Sequence, residues 1–180
     1  KKISKIKESY NLLSYILDFL NQHHAQHIET LRTIMNLFNM KFNQNFHEIA
    51  LDLCPNQYSF SGIEIKKGAY EVGASMKHFA YDNEKPKNII YLDDFTISKK
   101  LITISEWLGF IKEKGYQRKE FWSKQGWQWI KKNKILFPLN WKYSNKKAFA
   151  ISSPTGYQTP KNDMAVSNIS KFELDAFASW

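Results

Sequence analysis

From Ser4 to Met40 the chain contains neither glycine nor proline. Across that span Tyr10, Leu13, Ile16, Leu20, His23, His27, Leu31, Ile34 and Phe38 recur at spacings of three and four. This is the period of one helical face, so the pattern predicts a single long helix. No other feature constrains the fold as much. Most of a helix's stability in a protein comes from packing an amphipathic face. The stripe therefore needs companion helices, and this chain supplies no obvious bundle.

Two histidines continue the stripe. His23 and His27 stand at i and i+4, one turn apart on the same face. They can aim two imidazole nitrogens at one point, and imidazole suits iron, zinc, copper and nickel. The motif reads His-x3-His-x-Glu, closing on Glu29. The same spacing also arises on an ordinary exposed polar face. Because the pair lies on the apolar stripe, both rings are expected to face the interior, where the helix meets the later domain. Their ring nitrogens should then be close enough to share one ion. His24 points about 100° away around the helix and is expected to be solvated. Glu29 faces away from the pair, so it and Gln26 are candidates to orient the imidazoles rather than to bind metal. Any further ligand must come from elsewhere.

Charge and composition narrow the remaining classes. The net charge is +9, from 26 basic and 17 acidic residues. Only Arg32 and Arg118 are arginine, and lysine doublets such as Lys66-Lys67, Lys99-Lys100 and Lys131-Lys132 are scattered among acidic residues. That describes a solvated lysine-rich surface, so no nucleic-acid partner is expected. No apolar run is long enough for a transmembrane helix, and Lys1-Lys2-Ile3-Ser4-Lys5 does not open a signal peptide. The lone Cys54, before Pro55, reads as a small hydrophobe and fits a reducing compartment. No membrane partner and a cytoplasmic location are the expectations. With 16% aromatic residues, Trp107, Trp122, Trp127, Trp129 and Trp141 read as core struts rather than substrate contacts.

Past the long helix, Phe42 to Asn56 reads as a linker. Tyr58–Ile65 and Ala69–Val72 read as short strands punctuated by Gly68 and Gly73, and Ile89–Ile97 as another. Asp82-Asn83-Glu84 suits a turn between strands. Thr103 and Glu106 form a capping box that opens a helix running through Trp107, Phe110 and Ile111 to a stop at Gly115. Phe121–Ile130 reads as helical despite Gly126. Lys131 to Met164, with Pro138, Pro154, Gly156 and Pro160, reads as loops, and Ser170 starts a final helix.

The middle of the chain resembles a known family. Gly68-Ala69-Tyr70-Glu71-Val72-Gly73 is similar to the opening of the formylglycine-generating-enzyme-like, or sulfatase-modifying-factor, fold. Then come Phe79-Ala80-Tyr81-Asp82-Asn83-Glu84-Lys85-Pro86, the stretch Leu101 to Phe110, Gly115 to Trp122, Gly126-Trp127-Gln128-Trp129 and Pro138-Leu139-Asn140-Trp141. In this order they resemble the ergothioneine-type sulfoxide synthases, where a DinB-like helical domain carrying His-x3-His-x-Glu precedes that fold. The resemblance covers nearly the whole chain. It implies an α+β protein: a DinB-like helical segment over residues 1–45, then over 46–180 the N-terminal part of a formylglycine-generating-enzyme-like (C-type-lectin-like) domain.

The activity implied is that of a non-haem iron enzyme. It would use Fe(2+) and O2 to join the sulfur of a thiol donor to the imidazole ring of a histidine derivative, a betaine, as a sulfoxide. His23 and His27 map onto two of the family's three iron-binding histidines. No residue here maps onto the third, and His24 stands where the family usually has glutamate. Ser170 to Trp180 resembles the helix preceding a later family stretch that this sequence does not contain. The expectation is therefore a fragment truncated at both ends. A selenoneine-type synthase and a non-catalytic remnant or binding module are the alternatives.

Overall fold

The computed structural model describes residues 2–42, 61–76, 80–143 and 149–180. Its elements mix helix and sheet: a long N-terminal helix, then short strands and short helices. Helix α1 spans Lys2–Phe42. Strands β1 (Gly62–Ile65), β2 (Gly68–Val72), β3 (Asn88–Leu92) and β4 (Phe95–Ser98) follow. Next come α2 (Ile104–Lys112), α3 (Lys124–Asn133), β5 (Trp141–Tyr143), β6 (Phe149–Ser153), β7 (Gly156–Gln158) and α4 (Lys171–Ser179). Cys54 and all of the expected linker but Phe42 lie outside the described residues, as do Tyr58–Phe60 of the expected first strand. The chain divides into two compact units, Lys1–Ile34 with Ile63–Ile97 and Met35–Gly62 with Ser98–Trp180.

In the first unit β2 pairs antiparallel with β3, Gly68 facing Leu92 and Val72 facing Asn88. β1 pairs with β4. The expected single strand over Ile89–Ile97 is thus two, broken at Asp93-Asp94. The break has a chemical partner. Asp94 Oδ1 accepts from the Lys67 backbone N–H at 2.7 Å, and Asp93 pairs with the Lys67 ammonium at 2.8 Å. Lys66-Lys67 divides β1 from β2 just as Asp93-Asp94 divides β3 from β4.

Gly73 then turns the chain toward the Asp82–Glu84 3-10 turn. Its φ is +99°, and a Cβ there would lie 2.7 Å from the Glu84 carbonyl oxygen. Only glycine adopts this conformation cheaply. It lets the Ala74 N–H donate to that carbonyl at 2.7 Å. Glu84 also reaches back to accept from the Tyr81 N–H at 2.7 Å. These two bonds tie the turn, as expected for Asp82-Asn83-Glu84, and set the backbone of Tyr81–Asn83.

The second unit holds an aromatic core. The Thr103–Glu106 capping box forms as expected, and the equivalent box of Ser170 and Glu173 starts α4. Trp107 stacks on Phe177 with ring centroids 4.8 Å apart, and Phe110 meets Trp107, Tyr116 and Phe177. Trp107, Trp122 and Trp141 are buried, and Trp127 and Trp129 pack on the rim of the same core. All five tryptophans serve as struts.

At the heart of that core the Tyr116 hydroxyl donates to Glu173 Oε1 at 2.7 Å and accepts from the Trp107 indole at 3.3 Å. Glu173 Oε2 takes the Ser170 N–H at 2.7 Å. One buried carboxylate therefore caps α4 and anchors it to Tyr116. Burial, and then the Glu173 charge, push the Tyr116 hydroxyl far above the usual tyrosine range.

Two expectations are corrected here. The helix expected over Phe121–Ile130 is Lys124–Asn133, capped by the Ser123 hydroxyl. Residues Lys119–Phe121 are a 3-10 turn instead. Gly126 does not weaken α3, because a Cβ there would sit 3.2 Å from Phe172 Cβ, so the glycine admits α4 closely. The stretch expected as loops contains an antiparallel sheet in the order β5-β6-β7. Its strands, of three, five and three residues, are too short to show alternation in sequence. The end of α1 that belongs to this unit docks on the β6–β7 turn. Asn39 Nδ2 donates to the carbonyls of Ser153 and Pro154 at 2.9 and 3.1 Å, and Ser152 Oγ donates to Asn36 Oδ1 at 2.7 Å.

Candidate functional site

The site builds from α1 upward, within the first unit. His23 and His27 sit one turn apart, and their Nε2 atoms are 3.0 Å from each other. The rings meet nearly perpendicular, 4.4 Å between centroids. Phe19, one turn earlier, stacks on His23 at 5.9 Å and holds the other face of its ring. The i, i+4 spacing thus brings two nitrogens together through helix geometry alone.

His24 does not join them. Its Nδ1 lies 2.7 Å from the Leu20 carbonyl oxygen, so the ring folds back along its own helix. Glu29 and Gln26 are exposed. Their backbone carbonyls accept from the hydroxyls of Thr33 and Thr30, and neither side chain hydrogen-bonds an imidazole among the described residues.

The expectation that both imidazoles face an interior is corrected. Both rings are exposed, and so is the stripe they continue, including Leu13, Leu20, Leu31 and Phe38. The physical reason is that α1 meets the described residues through a different face. Its half-buried side chains are Asp18, Gln22, Asn36, Asn39 and Met40, mostly polar positions off the stripe.

A cavity of about 230 Å³ opens beside the pair, lined by Phe19, Gln22, His23, Gln26, Tyr81, Asp82 and Asn83. The turn tied by Gly73 and Glu84 therefore presents its residues to the same space as His23. Tyr81, Asp82 and Asn83 were not among the site residues expected from sequence. Their only signal was the Asp82-Asn83-Glu84 string, which reads equally as a turn.

The donor set can be tested against an ion. Imidazole nitrogens bound to one metal at about 2.1 Å, in adjacent positions near 90°, lie about 3 Å apart. The observed 3.0 Å fits two such positions. Among the described residues no group of three or more His, Cys, Asp or Glu side chains could hold a metal. The pair is therefore half of a centre that leaves most coordination positions open.

A mixed fold with a long N-terminal helix, an aromatic core and tied glycine turns defines the class. Residues 55–180 match the sulfatase-modifying factor enzyme 1-like domain, and the chain belongs to that family. Among its relatives is the hercynine oxygenase of Mycobacterium tuberculosis (strain ATCC 25618 / H37Rv), 28% identical over 109 residues, covering 61% of this chain and 25% of the relative. The hercynine oxygenases of Mycolicibacterium thermoresistibile and Mycolicibacterium smegmatis are each 24% identical over 169 residues, 88% of this chain. Those matches cover 35% and 36% of the relatives. The chain thus spans between a quarter and just over a third of the length of the curated relatives it matches. No helix of the described residues is long and apolar enough to cross a membrane.

Proposed function

We propose that the protein carrying this sequence is a non-haem iron(II)- and O2-dependent sulfoxide synthase. It joins the sulfur of a thiol to the imidazole ring of a histidine betaine, and it works in the cytoplasm. The observation that carries this reading is the 3.0 Å approach of His23 and His27 Nε2. The relatives named hercynine oxygenase support it. In this reading residues 1–45 are a DinB-like segment whose exposed stripe packs in a helical bundle, and 46–180 are part of the family domain.

His23 and His27 hold iron(II) through their Nε2 atoms, with further ligation from outside the described residues. Bound there, iron(II) supplies O2 activation at open positions next to the substrate sulfur. The protein's own part is positional. Phe19 stacks against His23 and restrains its ring. Gln26 and Glu29 fix imidazole orientation once substrate or solvent bridges them to the rings. The cavity beside His23 admits the substrates and holds their polar ends, so the reacting atoms meet in one orientation.

Oxygen uptake tests the proposal. Protein loaded with iron(II) should consume O2 only when a thiol and a histidine betaine are both present, with sulfoxide detected by mass spectrometry. His27→Ala should abolish product. Glu29→Gln should lower it about 10- to 100-fold, the usual range for a residue behind a metal ligand. Full product formation by the His27→Ala variant would overturn the assignment.

A further inference from the structure

A second cavity, of about 440 Å³, runs along α1 on the N-terminal side of the histidine pair. It shares Phe19, Gln22 and Asp82 with the cavity at His23, so the two form one continuous groove in the first unit. Three charged side chains line its larger part: Asp18, Asp82 and Lys85. Asp18 and Lys85 are half-buried. None of the three makes a side-chain ion pair or hydrogen bond among the described residues. This is unusual for the molecule. Elsewhere exposed charges such as Lys87 and Glu71 pair directly across a turn, at 2.7 Å.

Charges that lose water in a concave site without partners are costly. A ligand with the complementary charges would recover that cost. Two carboxylates and one ammonium in one groove complement a cationic amine together with a carboxylate. We infer that this groove binds the zwitterionic head of an α-amino acid, its ammonium toward Asp18 and Asp82 and its carboxylate toward Lys85. Asp82 borders both cavities, so a short side chain on such a ligand extends toward His23. Resting on the function proposed above, this assigns the groove to the amino-acid end of the thiol donor.

The test is calorimetric titration of the metal-free protein carrying this sequence, under nitrogen, with three probes. They are L-cysteine, cysteamine (no carboxylate) and 3-mercaptopropionate (no ammonium). L-cysteine should bind at least about tenfold more tightly than either analogue. Lys85→Met should weaken L-cysteine about tenfold and leave cysteamine unchanged, and Asp82→Asn should do the converse with 3-mercaptopropionate. Lys85→Glu should reverse the preference in favour of cysteamine. Equal affinity for all three probes, no binding of L-cysteine, or variants that weaken all probes alike would overturn the inference. Since neither metal nor O2 is present, that failure leaves the sulfoxide-synthase reading standing on product formation alone. Absence of sulfoxide with intact L-cysteine binding would sink that reading instead.

Discussion

The aromatic core of the second unit and the histidine pair of the first are built on opposite principles. Around Trp107 every large ring has a neighbour, and the one buried carboxylate, Glu173, bonds a hydroxyl and a helix N-terminus. Around His23 the rings are exposed, and the two Nε2 atoms have mainly each other. The core is satisfied within the chain. The pair is preorganised by helix geometry and left open. Structure that stabilises is closed on itself, whereas structure that performs chemistry keeps bonding capacity in reserve.

That contrast can be broken or sharpened by substitution. The largest effect should come from Trp107→Ala, which empties a fully buried site stacked on Phe177. A loss of about 3–5 kcal/mol is expected in chemical denaturation. A change below about 1 kcal/mol would mean the core is not closed as described. His27→Ala, in the exposed pair, should change stability far less in the same assay.

The next effect depends on pH. Tyr116 has its hydroxyl held protonated by burial and then by the Glu173 charge, so its folded pKa lies above the unfolded value of about 10. Its contribution to stability is therefore complete below about pH 10 and is lost as pH rises toward the folded value. Wild-type stability should fall with alkali above about pH 10, and Tyr116→Phe should flatten that slope. An unchanged slope would dissociate Tyr116 from the core network.

The smallest effect should be at the surface pair Lys171–Asp175, at i and i+4 and 2.8 Å apart. Lys171→Ala should cost no more than about 0.5 kcal/mol, and less in high salt. A larger loss would show that α4 depends on its exposed face as well as on the core.

What the sequence revealed followed the same contrast. Local chemistry was legible. The Thr103–Glu106 box, the Ser170 start of α4 and the glycine-free length of α1 all follow from rules spanning a few residues. The convergence of His23 and His27 was legible for the same reason, since i, i+4 spacing is local. Pairing between distant segments was not. β5–β7 are too short to alternate, and the break at Asp93-Asp94 makes sense only once Lys67 lies opposite. The burial of the pair was misjudged because the stripe describes what α1 can pack against, whereas exposure depends on what is present to pack. Tyr81–Asn83 reached the cavity through Gly73, whose role needed the Glu84 carbonyl in place.

The central claim is that His23 and His27 together, and not their neighbour, bind iron. The most direct measurement is iron content per chain after anaerobic loading with iron(II) and desalting. It would compare wild type with His23→Ala, His27→Ala and His24→Ala, whose native ring bonds its own helix at Leu20. The account predicts one iron per chain in wild type and His24→Ala, and almost none in the other two. Equal iron in all four proteins, or loss on His24→Ala alone, would contradict it.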